Sequence, residues 1–88
     1  MDEQKKISME IVNPYAAGID IGSRSHWVAV GQGSLDIKEF GVYNEDLFAI
    51  VEWLKENKIK TVAMESTGTY WQSLYAVLIA NGFHVILC

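Results

Sequence analysis

Val42 divides this chain into two hydrophobic periods, and the division limits the folds open to it. Before Val42, apolar residues come in short runs separated by turn residues, the pattern of strands. Ala16 to Ile21 is a nearly continuous apolar run, as expected of a strand buried on both faces. Gly22-Ser23-Arg24-Ser25 is a turn, and a second strand follows from His26 to about Gly31. Gly31-Gln32-Gly33-Ser34 turns the chain again into a third strand, Leu35 to Val42. There Leu35 and Ile37 share one face and Phe40 and Val42 the other, a phase switch that predicts a bulge or a twisted edge. The three strands read as an antiparallel meander.

After Val42, Leu47, Ile50, Val51 and Leu54 recur at helical spacing. Asn44 is placed to cap this helix, Glu45 and Asp46 suit its positive end, and Lys55 and Lys58 suit its far end near Asn57. Thr61 to Glu65 is a short apolar strand ending in an acid, and Ser66-Thr67-Gly68 is a turn. Thr69 and Gln72 fit a capping box for a second helix. Its apolar face is Trp71, Leu74, Tyr75 and Leu78, and Val77 and Ile79 widen that face into a well-buried element. Asn81-Gly82 closes the helix with a left-handed cap, and Phe83 to Leu87 is the last strand. Right-handed crossovers place strands four and five beyond strand one. The expected fold is therefore α/β, a mixed five-stranded sheet of order 3-2-1-4-5 with both helices as crossovers. Met1 to Pro14 is a polar lead-in, a tail or an added strand.

Composition excludes several classes of function. Half of the 88 residues are hydrophobic and a fifth are charged, a globular balance. No apolar run approaches the roughly 18 residues of a membrane span, and the charged start Met1 to Lys6 does not lead into a secretory signal. The single cysteine, Cys88, makes neither an internal disulfide nor a cysteine metal site. These features predict a cytoplasmic protein without a membrane partner. The net charge of −4 argues against a stand-alone nucleic-acid binder.

Two acids interrupt this apolar framework. Strand period two sets Ile19 and Ile21 on one face and Gly18, Asp20 and Gly22 on the other. An acid between two glycines has no bulky neighbour along its own strand, which leaves room for an ion or a phosphate. A bland alternative is an Asp that only bonds the following turn. Glu65, read alone, is a solvated strand-end acid. In the expected order, strands one and four are neighbours about 4.8 Å apart, and both acids lie at C-terminal strand ends, where open α/β sheets bind ligands. So paired, Asp20 and Glu65 are candidate catalytic residues and ligands of Mg²⁺ or Mn²⁺, ions that suit phosphodiester displacement.

Gly18-Ile19-Asp20-Ile21-Gly22-Ser23 with His26-Trp27-Val28-Ala29-Val30, and Met64-Glu65-Ser66-Thr67-Gly68-Thr69-Tyr70-Trp71, resemble the N-terminal domain of the IS110 family of DEDD transposases. That domain is ribonuclease H-like, similar to RuvC-type Holliday junction resolvases. The resemblance runs from about Tyr15 to Cys88, and its second motif is the more specific. It implies that Asp20 and Glu65 are the first D and the E of a catalytic tetrad. It also implies that residues 15–88 are the N-terminal part of a catalytic domain, and that two further aspartates and a serine-bearing domain follow Cys88. The implied activity is metal-dependent DNA cleavage and strand transfer at insertion-sequence ends. The expected partner is DNA, with or without a guiding RNA, and the basic surface belongs to the rest of the protein. The 88 residues alone are expected to be inactive, and an incomplete domain with an uncovered sheet face is expected to self-associate.

An actin-like, sugar-kinase-type ATP-binding domain begins with a similar Asp-x-Gly-Ser hairpin but does not need the Glu-Ser-Thr-Gly-Thr-Tyr-Trp stretch. A non-catalytic interaction module is the third alternative. Other residues carry less. Arg24 reads as a solvated turn residue, and Thr67 with the amides of Gly68 and Thr69 as an anion site or plain capping. Tyr70, Trp71 and Tyr75 read as core at helical spacing before they read as base-stacking platforms. His26 and His84 lack metal-ligand spacing. Trp53 is expected to cover the sheet edge.

Overall fold

The computed structural model describes residues 15–31, 36–66 and 68–88. The elements are β1 (Ala16–Ile21), β2 (His26–Val30), β3 (Asp36–Phe40), α1 (Asn44–Glu56), β4 (Thr61–Ser66), α2 (Gln72–Ala80) and β5 (His84–Leu87). They form one five-stranded sheet of order β3-β2-β1-β4-β5. β1 pairs antiparallel with β2 and parallel with β4, and β4 pairs parallel with β5. This is the expected ribonuclease H-like α/β order, with β1 at the centre. Among the described residues, no helix is long and apolar enough to cross a membrane. The lead-in Met1 to Pro14, the turn residues Gln32 to Ser34 and Leu35 lie outside the described residues.

Two successive right-handed crossovers running the same way put both helices on one side of the sheet. The core forms there. Ala17, Ile19 and Ile21 of β1, Val28 and Val30 of β2, and Val62 and Met64 of β4 meet Leu47, Ile50, Val51 and Leu54 of α1 and Leu74 and Leu78 of α2. Phe40 and Trp53 pack with centroids 5.6 Å apart, and Lys38 lies over both rings. Trp53 thus covers the sheet edge, as expected. On the opposite face, register aligns Ile37, Ala29, Gly18, Ala63 and Ile86 in one row and Glu39, Trp27, Asp20 and Glu65 in the next. Among the described residues, no helix covers this second face.

Both helices end in the same hydrogen-bonded knot. After α1, Ile59 N–H donates to the Leu54 carbonyl (3.0 Å) and Lys58 N–H to that of Lys55 (3.0 Å). After α2, Phe83 N–H donates to Leu78 (3.1 Å) and Gly82 N–H to Ile79 (3.0 Å). Asn57 and Asn81 each send a side-chain N–H back four residues, to Trp53 and Val77. These are Schellman caps, with Leu54 against Ile59 and Leu78 against Phe83 supplying buried apolar pairs. The left-handed residue is Gly82 in one (φ 87°) and Lys58 in the other (φ 59°).

Several expectations are corrected. β3 holds a continuous register with β2 from Asp36 to Phe40, so these residues contain no bulge, and Val42 lies beyond the strand. The phase switch reflects apolar residues on both faces of one short edge strand. Tyr43, not Asn44, is the N-cap of α1, because the Asp46 carboxylate reaches back three residues to accept the Tyr43 N–H at 3.0 Å. Thr69 and Gln72 form no capping box: Trp71 is the N-cap of α2 and makes no side-chain cap bond. The Trp71 ring instead packs edge-on against Tyr75 (5.6 Å, 87°), which fixes the first turn. Tyr70 and Ile79 are exposed rather than core. Ile79 follows Leu78 by about 100° around the helix, which turns it away from the sheet.

Candidate active site

The site begins with backbone geometry. In β1 the alternation Ile19, Asp20, Ile21 buries the two isoleucines beneath the helices and turns Asp20 to the uncovered face. In β4 the same alternation buries Met64 and turns Glu65 the same way. The parallel ladder pairs Ile19 with Met64, Asp20 with Glu65 and Ile21 with Ser66. Asp20 and Glu65 are therefore direct cross-strand neighbours at adjacent C-terminal strand ends. Both are half-buried.

The Glu65 Oε1 atom is buried and has no hydrogen-bond partner among the described residues. A buried polar oxygen without a donor is costly, and such atoms in folded proteins point to a missing ligand or a functional role. Asp20 lines a hollow of about 240 Å³ together with Gly22, Ser23, Arg24, Ser25 and Trp27. Glu65 is not among the residues lining it. Arg24 is exposed in the turn, and Trp27 stands opposite Asp20 in the β1–β2 register.

The turn that closes the hollow is tightly built. A Cβ on Gly22 would lie 2.6 Å from the Ser25 carbonyl oxygen, so only glycine allows the chain to fold back so closely. Gly22 N–H also donates to Nδ1 of His26 (3.4 Å). His26 is buried on the helix side, which lowers its pKa; attraction from Asp46 opposes that shift. With Nδ1 accepting, the neutral ring carries its proton on Nε2. Beyond β4, the Ser66 hydroxyl accepts from Gly68 N–H (3.3 Å) and donates to the Gly68 carbonyl (3.2 Å), tying down the next turn. Thr67 lies outside the described residues.

Two carboxylates side by side, one with an orphaned oxygen, suit a hard divalent cation that takes oxygen ligands. Among the described residues no group of three metal-ligating side chains occurs, so Asp20 and Glu65 make up a two-donor set. What the sequence did not signal is the role of His26, whose burial follows from its place on the core face of β2. Trp71 and Tyr75 are partly buried against the core, as their helical spacing predicts. Cys88 is a free, exposed thiol.

A family model described as "Transposase", for DEDD transposases of the IS110 type, matches residues 17–88. A search of curated proteins gave no match.

Proposed function

Because the chain belongs to the IS110 family of DEDD transposases, we propose that it supplies Asp20 and Glu65 to a divalent-metal centre for DNA cleavage and strand transfer at insertion-sequence ends. The observation that carries this reading is the pairing of the two acids in register on the uncovered face, with Glu65 Oε1 buried and unpartnered. Family membership also favours it over an ATP-binding domain.

Mg²⁺ or Mn²⁺, when bound, would polarise the phosphoryl oxygen and lower the pKa of a coordinated water. The chain's own part is positional. The β1–β4 ladder fixes the separation of the carboxylates, and Gly18 and Gly22 place no side chain beside Asp20 along its own strand. Two oxygen donors leave most of the coordination shell of a hard ion to water and to other ligands. The pair thus acts as one part of a larger ligand set, with a DNA strand as the substrate.

The test uses Asp20→Asn and Glu65→Gln in the full-length protein. Both should abolish DNA cleavage and weaken Mn²⁺ binding read by electron paramagnetic resonance, while thermal unfolding stays close to wild type. Retained cleavage in either variant overturns the assignment, and collapse of the fold would make the acids structural.

A further inference from the structure

The uncovered face of the sheet carries an aromatic ring beside the two acids. In β2, Trp27 stands between the buried residues His26 and Val28 and turns the other way, 44% exposed. The ladders set Glu39, Trp27, Asp20 and Glu65 side by side in one row across four strands. Trp27 and Asp20 are direct cross-strand partners, which puts their Cα atoms about 4.5–5.5 Å apart. Both line the hollow of about 240 Å³, and Arg24 is the one cation among the residues lining it. In the next row, the residues behind Trp27 and Asp20 are Ala29 and Gly18, which add no more than a methyl group.

A single exposed indole is ordinary on a protein surface, so its setting decides what can lie on it. Charge is the first constraint. A phosphate over Trp27 would sit between the carboxylates of Glu39 and Asp20, its neighbours in the row, and be repelled by both. A nucleobase is uncharged, and its π-face stacks on an indole. Desolvation is the second constraint. An apolar protein segment laid on the same ring would take Asp20 and Glu65 out of water with it, which is costly for charges left unpaired. A nucleotide strand brings phosphates that share a cation with those carboxylates.

We propose that Trp27 is a stacking platform for an unpaired nucleobase of the DNA strand, and that Arg24 holds a phosphate of the same strand at the turn. This deepens the reading of Asp20 and Glu65 as the metal-binding pair, and its assignment to DNA rests on that reading. Bases inside a duplex are stacked on one another and offer no free face. The strand is therefore opened where it meets Trp27. A base held there lies one strand away from Asp20, which fixes the register of the phosphates that pass the carboxylates. Trp27 thus binds and positions substrate, and bond breaking stays with the acids.

The test uses the full-length protein carrying fluorotryptophan, in Ca²⁺ buffer. The ¹⁹F signal of Trp27 is the one lost in Trp27→Phe. Before DNA is added, exchanging light for heavy water should shift that signal, as for an exposed ring; no shift means that the ring is covered and overturns the platform. A short oligothymidylate should move the signal, and neither an abasic strand of the same length nor a blunt duplex should. Trp27→Ala should weaken oligothymidylate binding by roughly tenfold and leave the abasic strand unchanged, and Trp27→Phe should restore most of the loss. Arg24→Gln should weaken both strands alike, because both keep their phosphates. No loss or an equal loss for the two strands in Trp27→Ala, or a signal that the abasic strand or the duplex moves as far, overturns the stacking. Unchanged binding of both strands by Arg24→Gln overturns the phosphate contact. If Asp20→Asn still cleaves while oligothymidylate moves the Trp27 signal, the carboxylate reading fails and the stacking stands. If Asp20→Asn is inactive and the Trp27 signal stays unmoved, the stacking fails and the carboxylate reading stands.

Discussion

His26 is held neutral by its surroundings, and that has a consequence for stability as pH changes. Burial lowers its pKa below the usual 6.5, with Asp46 opposing. The neutral folded form therefore contributes stability above about pH 6.5, where the unfolded ring is neutral too. As pH falls below that value the unfolded state takes up the proton first, and stability drops until the folded ring also titrates. Urea unfolding midpoints should fall between pH values on either side of 6.5, and His26→Gln should flatten that slope; an unchanged slope would show that other groups carry it. Gly22 is a second residue with a sharp local requirement. Gly22→Ala should cost about 1–3 kcal/mol in thermal unfolding, because the new methyl meets the Ser25 carbonyl at 2.6 Å. At this scale Asp20 and Glu65 stood out in the sequence as charges in apolar strands. His26 did not, since a histidine opening a β-strand gives no sign of which face will be covered.

The two helix caps are one design with different residues at the left-handed position. Lys58 adopts φ 59° where Gly82 adopts φ 87°. A side chain in that region costs about 1–2 kcal/mol, partly offset by the greater unfolded-state entropy of glycine. Lys58→Gly should therefore stabilise the protein by about 0.5–1 kcal/mol. Gly82→Ala should destabilise it by about 1 kcal/mol, although a Cβ there would meet nothing within 4 Å. Opposite shifts in the denaturation midpoints would check the pair; shifts of the same sign would refute the shared cap. The C-terminal ends of both helices were legible, because Asn81-Gly82 names its own conformation and Lys55 and Lys58 mark the end of α1. The N-terminal ends were not. Asp46 caps from three residues inside α1, and the aromatic packing of Trp71 on Tyr75 outweighs the propensity of Thr69 in α2.

Across the whole molecule, the order of the sheet followed from the change of period at Val42 and the handedness of crossovers. The unequal covering of its faces followed from the same rule. Trp27 is 44% exposed and Ile86 46% exposed on the face that no described helix covers. The 88-residue chain should accordingly bind a hydrophobic dye and associate at high concentration, and Ile86→Lys should reduce both. Sedimentation as a monomer without dye binding would contradict this. The ladder between β1 and β4 carries a further implication. Successive residues of a strand face opposite ways and rise about 3.3 Å each, so Glu65 can be displaced relative to Asp20 only in jumps of two residues, about 6.6 Å. Any odd slip buries one acid among Leu54, Leu74 and their neighbours. The separation of the two acids is thus discrete: it can be kept or lost, and no series of small adjustments leads from one working spacing to another.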